Sequence, residues 1–159
     1  MPQLVTRFIN SGGFIGRAID FFTDGYLSHV EMLTPDNMWI GAHADGGWMK
    51  RPYGYCTPLL DLQYGWDLPQ AQYDGIQASA AKRLGTPYNK WGIVGIMLRK
   101  RRLTSPELIF CSEGWLDVIM ENGIYPLNVL PGFTHLLTPR DVHLSGLFRG
   151  KLIKRVDRR

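Results

Sequence analysis

The chain has no apolar stretch approaching the ~18 residues a membrane-spanning helix needs, which excludes a helical membrane anchor within it. Cysteine is scarce: two among 159 residues, Cys56 and Cys111, too few for a disulfide-built scaffold. Charge is also sparse. At 20% charged and 45% hydrophobic residues, the composition is that of a packed globular protein and excludes a disordered or fibrous one. Internal repeats, low-complexity tracts and linker-like segments are missing, which excludes solenoids and argues for one domain over residues 1–159. The opening MPQLVTRFIN lacks the basic end, long apolar centre and small-residue cleavage site of a secretory signal. The expectation is therefore a cytoplasmic protein, with any export following another route.

What is present alternates between strand and helix patterns. Leu4 to Ile9 reads as a first strand, and Phe14, Ile15, Ala18, Ile19 and Phe22 recur at helical spacing. Leu27 to Leu33 and Met38 to Ala44 read as a hairpin about Thr34-Pro35-Asp36-Asn37, and Trp48 to Arg51 as a further short strand. Residues 52–72, rich in Pro, Gly, Tyr and Asp, read as an ordered surface loop. Asp74 can cap a helix carrying Ile76, Ala80 and Leu84 and closed by Gly85. GIVGIML at 92–98 reads as a buried helix, and Leu108 to Phe110 as a brief strand or extended lead-in. Cys111 to Asn122 then carries one face of Trp115, Val118, Ile119 and Asn122, with Gly123 as its stop. Helices and antiparallel strands without βαβ alternation predict an α+β fold.

FCSEGWLDVIM puts Cys111 at a strand-to-helix junction. There, unpaired N–H groups and the helix dipole favour a thiolate and can hold an oxyanion. Gly114 keeps the first turn slim, so that another element can approach. SHVEM puts His29 on a strand with Glu31 two residues on, so both side chains share a face. A carboxylate beside an imidazole orients it and supports its cation. His43 competes for that third place: with Leu33 pairing near Met38, His29 falls opposite Ala42 or His43, and one residue of register decides which face His43 takes. Tyr88, in LGTPYNKWG, can offer its hydroxyl near the cysteine or serve as a half-buried turn aromatic.

In order and separation, SHVEM, LGTPYNKWG and FCSE resemble the circularly permuted, NlpC-type branch of papain-fold cysteine hydrolases, the YiiX- and YebB-like proteins, with the histidine strand preceding the cysteine helix. The resemblance spans nearly the whole chain. It implies a small antiparallel sheet with the cysteine helix packed on it, and hydrolysis through a thioester. It also implies Cys111 as nucleophile and His29 as base.

The expected activity is therefore a thiol amidase or peptidase, with Cys111, His29 and Glu31 catalytic and Tyr88 at the oxyanion. No cofactor and no metal are expected. The expected substrate is a peptide amide, as in a cell-wall stem peptide; an acyl ester or amide of a lipid is the alternative. Net charge is +4, gathered in Arg99-Lys100-Arg101-Arg102 and in 151–159. No nucleic-acid partner is expected. Residues 92–102 are expected to form one side of a groove for acidic or amphiphilic substrates, and Arg99 to Arg102 to offer peripheral contact with an anionic membrane surface. Two rivals come from other classes. A zinc site can draw on His29, Glu31, His43 and Cys111, although compact ligand spacing such as C-x-x-C or H-E-x-x-H is absent. A non-catalytic module can instead use the basic run to hold an anion.

Overall fold

The computed structural model describes residues 1–12, 26–89, 109–127, 134 and 137–158. Its strands are β1 (Gln3–Asn10), β2 (His29–Leu33), β3 (Met38–His43), β4 (Gly47–Pro52), β5 (Leu60–Asp67) and β6 (Leu152–Asp157). Its helices are α1 (Gln70–Lys82), α2 (Cys111–Glu121) and the short α3 (Pro139–His143). The six strands form one antiparallel sheet in the order β4-β3-β2-β1-β5-β6. The class is α+β. Among the described residues no helix is long and apolar enough to cross a membrane.

Period-two alternation divides the sheet into an apolar and a polar face. Leu4, Phe8, Val30, Met32, Ile40, Leu62 and Trp66 face one way and pack with Trp115, Val118 and Ile119 of α2 and with Ile76 and Ala80 of α1 in a single buried cluster. The indole of Trp115 donates to Thr6 Oγ1 at 3.2 Å, fixing α2 against β1. Arg7, Glu31, Asp61 and Gln63 alternate onto the other face and are also buried. They are covered by residues 53–59, which join edge strand β4 to β5. Four strand spacings, ~19 Å, separate those two strands. Seven residues reach little further than about 25 Å, so after a turn in which the Tyr55 N–H donates to the Pro52 carbonyl at 3.0 Å the connection has little slack to cross the polar face. Trp39 donates to its Tyr53 carbonyl at 2.9 Å, and the Tyr53 hydroxyl reaches Gln63 at 3.4 Å.

Several expected boundaries move. The stretch 52–72, read as a surface loop, contains β5, an interior strand of the sheet. Its alternation Leu60, Leu62, Trp66 against Asp61, Gln63 is hidden because both faces are buried, one of them polar. The tail at 151–159 contributes β6, which pairs with β5 through a bulge at Gln63/Tyr64. Its residues are mostly exposed, so it gave no apolar signal. Helix α1 begins at Gln70, not Asp74, without a side-chain cap, and Leu84 lies beyond its end. The expected helix of Phe14 to Phe22, the apolar run 92–98 and the basic run Arg99 to Arg102 lie outside the described residues.

Candidate active site

The β2–β3 hairpin decides which side chains meet. Thr34 N–H donates to the Met38 carbonyl at 2.9 Å, and the Thr34 hydroxyl donates to Asp36 at 2.5 Å. Asn37 takes a left-handed φ of 57°, a conformation asparagine tolerates better than most residues. The loop thus holds three residues, 35–37, one more than a tight two-residue turn. Leu33 therefore pairs with Trp39 and Met32 with Ile40, not Leu33 with Met38. Carried back along the strands, this register sets His29 opposite His43, whose rings lie 4.7 Å apart. It also sets Glu31 opposite Gly41, where a Cβ would come within 3.1 Å of Glu31 Cβ. Glycine leaves the carboxylate its room.

Glu31 is fully buried and is the hub. Oε1 accepts from Arg7 at 3.1 Å, and Oε2 accepts from the Tyr55 hydroxyl at 3.1 Å. His29 Nε2 stands 3.4 Å and His43 Nε2 3.7 Å from the same Oε2. Arg7 is held from its other side by Asp61, at 2.9 and 3.1 Å in a two-point grip. It lies over the Trp39 ring at 5.1 Å. Burial opposes ionisation of Glu31. Contact with His29 outweighs it first, then the charges of Arg7 and His43, and the pKa falls below the ordinary carboxylate value.

His29 opens β2, so its ring stands at the strand end, where the N-terminus of α2 can reach it. Burial favours the neutral ring, but the charge and hydrogen bond of the Cys111 sulfur, followed by Glu31, push its pKa up to about 10. With Nε2 turned to Glu31, Nδ1 is the nitrogen left for sulfur. His43 takes the opposite shift, down to about 4, through burial first and then the positive charge of His29. Two imidazoles on one carboxylate thus hold different protonation states at neutral pH.

Cys111 is the first residue of α2 and 3% exposed. The preceding Phe110 is extended and offers no side-chain cap, and the first helical bond runs from Gly114 N–H to the Phe110 carbonyl at 2.9 Å. The N–H groups at the start of the helix therefore stay out of its ladder. Gly114 is slim for a reason: a Cβ would lie 2.5 Å from Ile109 Cδ1 and collide with the Trp48 ring. Tyr88 arrives through a short parallel bridge with Ile109, two residues before Cys111. Asn89 N–H donates to the Ile109 carbonyl at 2.8 Å, and Ile109 N–H to the Pro87 carbonyl at 3.0 Å. Burial, then the Cys111 charge, raise the Tyr88 phenol pKa, so it remains a proton donor. A cavity of about 190 Å³ opens beside these groups, lined among others by Ile9, Ser11, Ser28, His29, Cys56 and Tyr88.

The structure thus gathers Cys111, His29, Glu31 and Tyr88 and adds His43 to the same face. Both cysteines are free thiols. His143 lies elsewhere, between the hydroxyls of Tyr64 at 2.7 Å and Tyr26 at 3.2 Å. Arg7, Asp61 and Tyr55 escaped sequence reasoning. Arg7 was detectable, because a charge inside the apolar strand LVTRFIN needs a buried partner. Asp61 lies in β5, inside the stretch read as a loop, and Tyr55 lies in the 53–59 connection, whose course over the polar face no local pattern shows. No model of a known protein family matches the chain, and no curated protein matches it either.

Proposed function

We propose that the protein is a cysteine hydrolase of the permuted papain-like type, cleaving an amide through an acyl-cysteine intermediate. The observation that carries this reading is the convergence of Cys111, at an uncapped helix start, with an imidazole whose other nitrogen faces a buried carboxylate. His29 takes the Cys111 proton, and the thiolate attacks the carbonyl carbon. The oxyanion is met by the Cys111 N–H and the Tyr88 hydroxyl. As the carbon–nitrogen bond breaks, the imidazolium gives its proton to the departing amine, leaving a thioester. His29 then takes a proton from water, hydroxide adds to the thioester, and the acid leaves as the thiolate reforms. Glu31 faces the ring at 3.4 Å and balances its charge; it does not take the proton.

The cavity is smaller than the ~300–1,000 Å³ of pockets that enclose whole ligands. It suits one residue-sized group of a longer chain, and the substrate class proposed is a peptide such as a cell-wall stem peptide. The acyl-lipid alternative and the anionic groove rest on residues 92–102, outside those described. Intact-mass analysis after incubation with stem-peptide fragments and a neutral thioester tests the reading. An acyl adduct should form on Cys111, persist in Cys56→Ser and vanish in Cys111→Ser and His29→Ala. Hydrolysis surviving in Cys111→Ser, or an adduct on Cys56, would overturn it.

A further inference from the structure

His43 has no task in this reaction, yet it is built into the site with care. Its Nε2 is buried and has no hydrogen-bond partner, and the same holds for His29 Nε2. Both aim at one oxygen, Glu31 Oε2, at 3.4 and 3.7 Å. These separations are too long for charge-assisted hydrogen bonds, which run at ~2.7–2.9 Å. They are close to another distance. A tetrahedral zinc ion with bonds of ~2.0–2.2 Å holds its ligand atoms about 3.3–3.5 Å apart. The three ligand atoms lie within 4.8 Å of one another, so the widest edge has to close by up to about 1.3–1.5 Å to reach that spacing.

The surroundings suit an ion. Glu31 is oriented by Arg7 at 3.1 Å, the kind of outer support metal-binding carboxylates have. Asp61 balances the Arg7 charge, so Arg7, Asp61 and Glu31 sum to one negative charge, and an ion that takes the His29 nitrogen displaces the proton there. Nitrogen and carboxylate donors select zinc and its neighbours over calcium or magnesium.

We propose that His29, Glu31 and His43 form a binding site for a single zinc-class dication, whose arrival takes the His29 nitrogen away from its carboxylate and switches the enzyme off. The site stands on its geometry alone; the switching rests on the hydrolase reading above. Cobalt(II) is the probe, because its visible bands report tetrahedral nitrogen and oxygen ligation without any need for turnover. Metal-free protein titrated with cobalt should saturate at one equivalent, and zinc should displace it. Cys111→Ser, which ends hydrolysis, should bind cobalt unchanged. His43→Ala and Glu31→Gln should each lose at least ~10–100-fold in affinity, the loss common even for an outer partner of a metal. His43→Gln, checked by its melting curve, repeats the test if the alanine variant folds poorly. Zinc should slow acylation of Cys111 in the wild type, while His43→Ala keeps its own metal-free rate. The site is refuted if cobalt gives no tetrahedral spectrum, or if His43→Ala and Glu31→Gln bind as tightly as the wild type. Cobalt bound without any acyl-enzyme sinks the hydrolase reading and keeps the site. Acylation without cobalt binding does the reverse.

Discussion

At the residue scale, the question is what Glu31 does that His43 does not. Glu31 touches His29 and is fixed by Arg7 and Tyr55, whereas His43 stands behind the same oxygen at 3.7 Å. Glu31→Gln keeps the shape, but one of its two positions becomes an amide nitrogen that faces donors, and the negative charge supporting the His29 cation disappears. Turnover should fall by ~10²–10⁴, the upper value being that of the orienting carboxylate in serine triads. His43→Ala should cost less than Glu31→Gln. Single-turnover acylation rates with one thioester substrate decide this, and the opposite ranking would transfer the third role to His43.

At the scale of the element, α2 is held by apolar contacts on one side and carries a misplaced acid on the other. Glu113 sits in the first turn, where a carboxylate normally gains from the dipole. Yet burial, followed by the charge of Asp117, raises its pKa to about 7, and its Oε2 has no hydrogen-bond partner. Because the folded pKa lies above the unfolded one, the protonated carboxyl favours folding. That contribution is complete below the ordinary value of 4.5 and is lost as pH rises through about 7. Glu113→Gln mimics the protonated form. Its melting temperature should match the wild type near pH 4 and exceed it near pH 8. A difference independent of pH would show that Glu113 ionises normally.

The whole molecule spreads its charge balance over three strands. Arg7 on β1, Glu31 on β2 and Asp61 on β5 are 3, 0 and 5% exposed, and the crossing segment with Tyr53 and Tyr55 covers them. Removing the cation leaves two carboxylates out of water, a defect of about 3–5 kcal/mol. Arg7→Met should therefore lower urea stability by that amount. A triple variant adding Glu31→Leu and Asp61→Leu should recover most of it while remaining inactive, because apolar replacement of a whole buried ionic set is often neutral. A loss below ~1 kcal/mol for Arg7→Met would mean that water reaches the network.

The sequence by itself determined the local elements and which side chains each of them presents. Cys111 before a helical pattern, His29 and Glu31 at strand spacing, and Gly114 in the first turn depend on neighbours within a few residues, and short-range periodicity encodes them. The α+β class was legible for the same reason. Tertiary structure decided what depends on distant pairing. The left-handed Asn37 lengthened the hairpin loop by one residue and brought His43 onto the face of His29, a choice between two registers that local pattern left open. Arg7 and Asp61 lie 54 positions apart, and no local period links them. Strand β5 was hidden because its polar side chains are satisfied inside the protein by ions from other strands, so its burial left no mark in hydrophobicity.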